Sequence, residues 1–276
     1  MSTDITTQRL AVLIDADNAM PGAARSLLAE VAKYGTAFVR RAYGDWTGTS
    51  LRGWKEQLLT QSIQPIQQFA YTQGKNATDS AMIIDAMDLL YTNRFDGFCI
   101  VSSDSDFTRL AARIRESGLV VYGFGERKTP KPFVAACDKF IYVENLVRDQ
   151  PPPLSVPPPA ANPPGTVTTS PAQPRAPVAQ TGNPVESRLK QILQQTVEAA
   201  SDEDGWANLA KVGMLMTKQY PDFDPRTYGY SKLTDLIIAT EQFETERRSL
   251  GEGKPMVVVA RCMRPLKRLR IGDPME

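Results

Sequence analysis

The residues best equipped for chemistry in this chain are carboxylates. Asp15 and Asp17 stand in Leu-Ile-Asp-Ala-Asp-Asn, Asp79 closes Gly-Lys-Asn-Ala-Thr-Asp, and Asp104 and Asp106 stand in Val-Ser-Ser-Asp-Ser-Asp-Phe. The first and last groups end apolar runs that read as buried strands, while Asp79 opens an amphipathic helix. Carboxylates delivered from separate elements to one edge of a sheet repel one another unless a cation lies between them. The 276 residues include no histidine, which excludes imidazole acid–base chemistry, Ser-His-Asp and Cys-His nucleophiles, and most transition-metal sites. Oxygen-ligated Mg2+ or Mn2+ is the cofactor that this composition accommodates.

A metal held by aspartates suits phosphoryl chemistry, in which one or two cations generate hydroxide and stabilise the leaving oxygen. Asp15 and Asp104 read as direct ligands. Asp79 reads as a ligand or as a residue orienting water, and Asp106 or Asp17 as binding through water. Asn18 and the hydroxyls of Ser102, Ser103 and Ser105 are candidates for positioning substrate or outer-shell water, and Lys75 for holding a scissile phosphate. Helical phase separates Asp79 from its neighbours: Met82, Ile83, Ala86 and Leu90 fall on its stripe, whereas Asp85 and Asp88 fall off it and read as solvated. The competing reading is that these aspartates only cap helices; independent caps need not converge on one sheet edge.

The elements that must position these groups alternate strand and helix. Leu10–Asp15, Ala37–Tyr43, Gly97–Val101, Leu119–Phe124 and Phe140–Val143 read as strands, and Gln64–Phe69 as a weaker one near an edge. Pro21–Tyr34, Leu51–Thr60, Thr78–Tyr91 and Phe107–Ser117 have helical spacing, and Gly118 ends the last. Continuous apolar strands between helices predict a three-layer α/β domain with a mostly parallel sheet. In such sheets ligands bind beyond the carboxyl ends of the strands, where both Asp-x-Asp groups fall.

Residues 150–184 form a linker: twelve prolines from Pro151 to Pro184 and one charged side chain, Arg175, predict an extended spacer. Beyond it, Asn183-Pro184-Val185-Glu186 has the form of a helix start, with Leu189, Ile192, Leu193 and Val197 on one face. Helices about Trp206–Gln219 and Ser231–Thr240 follow, then a hairpin of Phe243–Arg248 and Met256–Cys262. Three helices and a hairpin are the layout of a winged helix over 185–263, with a basic tail at 264–276.

Over residues 8–147, Leu-Ile-Asp-Ala-Asp-Asn, Gly-Lys-Asn-Ala-Thr-Asp with Ala-Met-Ile-Ile-Asp-Ala-Met-Asp, and Val-Ser-Ser-Asp-Ser-Asp-Phe with Ile-Arg-Glu-Ser-Gly resemble the NYN family of PIN-like nucleases. That resemblance implies a metal-dependent ribonuclease with a PIN-like (Rossmann-like) domain at 1–149. It puts Asp15, Asp79 and Asp104 on the family's acidic positions and Asp106 as a further one. The family often has glycine where this chain has Ser103. Gly205-Trp206, Tyr220-Pro221-Asp222-Phe223-Asp224 and Tyr228-Gly229-Tyr230-Ser231-Lys232-Leu233 resemble the LOTUS domain, also called OST-HTH, which implies binding of RNA or of a protein partner.

The net charge of +1 advertises no nucleic-acid partner, so any such surface must be local. Lys232, Arg247, Arg248 and Lys254 around the wing, with Arg264, Lys267, Arg268 and Arg270 in the tail, form one candidate. From Arg247 onward eight basic residues face three acidic ones. Arg40, Arg41, Arg52 and Lys55, interleaved with Trp46 and Trp54, form a second candidate suited to single-stranded RNA; either tryptophan could instead be core. Cys99, Cys137 and Cys262 are far apart and odd in number, reading as free thiols in a reducing compartment. With no leader-like N-terminus and no spanning apolar run, the expectation is a cytoplasmic protein, off the membrane, with homo-oligomerisation open. The expected function is cleavage of single-stranded or structured RNA. The alternatives are a phosphatase of the HAD type, with Asp15 as covalent nucleophile, and a non-catalytic RNA-binding adaptor.

Overall fold

A computed structural model describes residues 7–69, 77–148, 184–249 and 256–263. Lys75, most of the proline-rich segment, Lys254 and the tail arginines and lysines lie outside these residues. In the first domain the order is β1 (Arg9–Asp15), α1 (Ala24–Val31), β2 (Thr36–Gly44), α2 (Trp54–Thr60), β3 (Gln64–Gln67), α3 (Ala77–Tyr91), β4 (Gly97–Val101), α4 (Thr108–Glu116), β5 (Val120–Gly125), α5 (Lys131–Ala136), β6 (Lys139–Tyr142) and α6 (Val143–Arg148). The six strands are all parallel in the order β3-β2-β1-β4-β5-β6. β3 is one of the two edge strands, where Pro65 costs no ladder bond on the open side. Two short helices, α5 and α6, had no sequence-based expectation; α6 begins at Val143, where the last strand was expected to end.

Alternation along β1 builds the three layers. Leu10, Val12 and Ile14 face a cluster with Leu27, Val31, Trp54 and Leu146, while Ala11 and Leu13 face one with Met82, Ala86, Phe98 and Phe133. All five β1 side chains are fully buried, and each Leu, Val or Ile contributes about 1.5–3 kcal/mol by leaving water. The chain steps outward from β1 to β2 and β3, then α3 carries it back across to β4 on β1's other side. The loops after β1 and β4 therefore diverge, opening a crevice at their carboxyl ends.

The second domain has α7 (Pro184–Ala200), β7 (Ala207–Asn208), α8 (Leu209–Gln219), a 3-10 turn (Pro225–Tyr228), α9 (Leu233–Ala239), β8 (Phe243–Ser249) and β9 (Met256–Cys262). α7 begins at Pro184, the first helical position that Asn183-Pro184-Val185-Glu186 predicts. The helix expected from Trp206 starts instead at Leu209, because Ala207 and Asn208 pair with Ala260 and Val259 as a third strand. The Asn208 side chain then caps α8 by accepting from the Ala210 N–H. At the 3-10 turn's end Gly229 takes φ +89°, the left-handed conformation that glycine tolerates.

Although a proline-rich spacer separates them in sequence, the two domains dock. The Arg226 guanidinium donates to both oxygens of Glu30 at 3.1 and 3.0 Å and also pairs with Asp224 at 2.7 Å. Tyr142 donates to Asp222 at 2.9 Å and Asn145 to the Thr227 hydroxyl at 3.0 Å. The Phe140 N–H on edge strand β6 donates to the Pro221 carbonyl at 2.8 Å, covering an otherwise open sheet edge.

Candidate metal centre

β1 ends at Asp15, whose side chain is fully buried. Its Oδ2 accepts from the Asn18 side-chain amide at 2.8 Å and the Ser102 hydroxyl at 2.7 Å, and its Oδ1 from the Asn18 N–H at 3.3 Å. Burial pushes this carboxyl above its usual range, while Asn18 and Ser102 pull it back. Ser102 also accepts from the Asp104 N–H at 3.0 Å. One hydroxyl thus ties the loop after β1 to the loop after β4.

Asp104 accepts from the Asp106 N–H at 3.0 Å and caps the 3-10 turn Ser105–Phe107 that leads into α4. Asp79, in the first turn of α3, is brought to the same edge by that crossover helix, with Met82, Ala86 and Leu90 buried below it. Carboxylate oxygens of Asp79, Asp104 and Asp106 all lie within 4.8 Å of one another. Burial first, then the charges of Asp15, Asp104, Asp106 and Asp17, raise the Asp79 carboxyl to about 6. Capping and convergence are therefore both present in Asp104.

This donor set fits a hard divalent cation. Octahedral oxygens at about 2.0–2.1 Å stand roughly 3–4.2 Å apart, within reach of the triad's spacing. Asp15, ranked with Asp104 on sequence, is not among these three carboxylates; it is fully buried with both oxygens accepting hydrogen bonds. Asp17 is exposed at the rim, where its Oδ2 accepts from the Thr78 hydroxyl on α3 at 3.0 Å. Ser103 accepts from the Glu126 N–H at 2.9 Å, bracing the loop after β5, and Ser105 is exposed on the 3-10 turn.

Arg40 and Arg41 are engaged away from these carboxylates, and Arg52 and Lys55 are exposed. Arg40 donates to the Gln61 carbonyl at 2.9 Å. Arg41 and the Tyr43 hydroxyl both bind Asp85, so Asp85, expected to be solvated, is a partly buried ion-pair partner. Trp54 is core and donates to the Ala16 carbonyl at 3.2 Å; Trp46 is partly buried and donates to the Ile66 carbonyl at 3.0 Å. In the second domain Lys232 and Arg247 are exposed, whereas Arg248 stacks on Trp206 at 4.1 Å and pairs with Glu246. Arg261 stacks on Trp206 at 4.5 Å. Sequence reasoning gave no docking role to Glu30, Tyr142, Asn145, Asp222 or Arg226; the signals near them were the Tyr220-Pro221-Asp222-Phe223-Asp224 and Tyr228-Gly229-Tyr230 motifs on either side of Arg226.

Comparison with curated proteins finds no match. Among solved structures, the crystal structure of a Vibrio parahaemolyticus protein of unknown function is 18% identical over 51% of this chain and 94% of that one, with a TM-score of 0.43. The solution structure of an uncharacterized Nitrosomonas europaea protein is 35% identical over 35% of this chain and 90% of that one, with a TM-score of 0.27. Family models match the NYN domain at residues 9–144 and the OST-HTH/LOTUS domain at residues 183–255. The chain is an NYN-domain protein, of a PIN-like nuclease family, that carries a C-terminal OST-HTH/LOTUS domain, a module that binds RNA.

Proposed function

We propose that this protein is a cytoplasmic ribonuclease that hydrolyses RNA phosphodiesters with Mg2+ or Mn2+, the LOTUS domain contributing to RNA capture. The observation that carries the reading is the Asp79–Asp104–Asp106 triad at the β1/β4 crevice, backed by Asp15. When bound, a divalent cation supplies hydroxide near neutral pH and neutralises charge on the phosphate. Asp79, Asp104 and Asp106 hold it; Asn18 and Ser102 fix Asp15, whose charge strengthens the site's hold. Asp17 lines the rim with Thr78. Cys99 and Cys137 are buried free thiols and Cys262 is partly exposed, in keeping with a reducing compartment. No helix among the described residues is long and apolar enough to cross a membrane.

The phosphatase alternative requires Asp15 to attack phosphorus, and a fully buried carboxylate with both oxygens occupied is poorly placed to do so. The test is cleavage of end-labelled single-stranded and hairpin RNA with either ion by wild type, Asp79→Asn and Asp104→Asn. Loss of roughly a hundredfold or more in both variants is expected, since removing a group that only orients a metal ligand already costs 10–100-fold. Cleavage surviving both substitutions, or tight RNA binding by a wild type that never cuts, overturns the reading; the latter result identifies an adaptor.

A further inference from the structure

Docking of the two domains creates a groove that neither has alone. It has a volume of about 410 Å3 and runs between α5 and β6 of the NYN domain and α7, α8 and the Pro225–Tyr228 turn of the LOTUS domain. Aromatic rings from both sides line it: Tyr142 from β6, and Phe223 and Tyr228, whose centroids lie 6.3 Å apart. Tyr228 is 36% exposed, so part of a large ring faces the opening. Lys131 and Arg188, both exposed, stand on opposite walls. Arg127 lies over the Tyr142 ring at 5.6 Å, with its guanidinium anchored to Asn145 at 3.0 Å. The acid in the groove, Asp222, already accepts from Tyr142.

We propose that this groove binds single-stranded RNA and forms an extension of the catalytic crevice; the inference rests on the ribonuclease reading above. Exposed rings stack bases regardless of sequence, and guanidinium and ammonium groups take the phosphates between them. Continuity with the carboxylates supports one occupant for both. Tyr142 is in register with Gly125, and Phe124 with Val101, so the groove opens at the same sheet edge as the triad. Two strand spacings, about 10 Å, separate β4 from β6. The turn between them carries Arg127 and Lys128, both exposed. A strand leaving the crevice thus meets cations first and stacking rings next.

The experiment is fluorescence anisotropy of the full chain in an Asp104→Asn background, with unstructured oligouridylates of about 4 and about 16 nucleotides. Tyr228→Ala is expected to weaken the longer oligomer roughly 5- to 100-fold, the loss of one stacked base. Tyr228→Phe restores it, and Arg188→Ala lowers the salt slope by about one. Unchanged or tighter binding by Tyr228→Ala overturns the proposal, the second result pointing to the proline-rich segment 151–183 as occupant. A Tyr228→Phe protein as weak as Tyr228→Ala also overturns it, since the hydroxyl rather than a stacking ring would then carry the effect. Cleavage by the otherwise wild-type chain is read in parallel. If it cuts with carboxylate dependence while Tyr228→Ala binds normally, only the groove fails; if it neither binds nor cuts, the ribonuclease reading fails too.

Discussion

Replacing Asp79 by asparagine should make the metal-free protein more stable. An aspartate that normally titrates near 3.8 is raised here to about 6, by burial and by four neighbouring carboxylates. The folded state therefore holds a proton that the unfolded chain gives up between those values. Below pH 3.8 both states are protonated and there is no penalty. As pH rises through the window stability falls, and above pH 6 the full cost is present. A rise of about two pH units corresponds to about 3 kcal/mol; because Asp79 is partly solvated, screening reduces this to about 1–3 kcal/mol. Asparagine is nearly isosteric and uncharged, so it recovers that amount at pH 8 and almost nothing at pH 3.5.

If Asp79 instead only served the first turn of α3, asparagine would cap as well but lose the favourable negative charge at the helix N-terminus, costing about 0.3–1 kcal/mol. The two readings therefore differ in sign. Thermal unfolding followed by circular dichroism, with EDTA and then with Mn2+, separates them. In EDTA at pH 8 the variant should melt about 2–8 °C above wild type. With Mn2+ the order reverses, because wild type gains about 4.1 kcal/mol at a thousand times the dissociation constant and the variant gains much less. A variant that melts lower in EDTA at pH 8, or that keeps the full Mn2+ shift, refutes the reasoning.

The docked arrangement and its supports can be tested the same way. Arg226→Ala leaves Glu30 buried with only Lys33 and Tyr34, and should cost about 3 kcal/mol of docking, seen as a larger radius of gyration in X-ray scattering. Burial alone would raise the Glu30 carboxyl, but Arg226 and Lys33 outweigh it and hold it at about 2 instead of 4.5. Its contribution to docking is therefore complete above about pH 4.5 and lost as pH falls toward 2, where scattering of wild type should approach that of Arg226→Ala. Gly125→Ala places a methyl 2.6 Å from the Ser102 carbonyl and 2.7 Å from the Thr129 hydroxyl. It should cost about 1–3 kcal/mol in denaturant unfolding and lower cleavage by shifting the hydroxyl that joins Asp15 to Asp104. Trp206→Ala removes the ring between Arg248 and Arg261 and should destabilise the LOTUS domain by about 3–5 kcal/mol, leaving the first domain's transition in place.

What could be read in the sequence was whatever a local pattern encodes. Parallel strands buried on both faces leave unbroken apolar runs, so β1 and β4 and the aspartates that end them were visible at once. The phase of α3 placed Asp79 with Met82, Ala86 and Leu90, as the structure does. The same phase put Asp85 outside the core stripe, correctly, but the stripe says nothing about what lies beyond it. Arg41 and Tyr43, more than forty residues earlier, cover that face. Asp15 and Asp104 look equivalent as strand-end acids; no local pattern shows that Asn18 and Ser102 fold onto Asp15. Two-residue β7 has no period to detect.

Glu30 is the most informative omission. Nothing local on helix α1 marks it, yet it is 4% exposed because Arg226, nearly two hundred positions away, lies across it. The proline-rich composition between the domains predicts an extended spacer, which cannot itself order its neighbours. It does not follow that the domains stay apart, because a tether also keeps each at high effective concentration for the other. A few desolvated pairs then suffice to dock them. The residues doing so, Arg226 with Asp224 and Thr227 beside Tyr228, border the groove proposed to receive RNA. An RNA that fills this groove contacts both walls, so it should bind the docked form preferentially and stabilise docking in turn. By the same reciprocity, Arg226→Ala should weaken RNA binding by the fraction of time that the domains spend apart, although Arg226 itself contacts Glu30 rather than the groove.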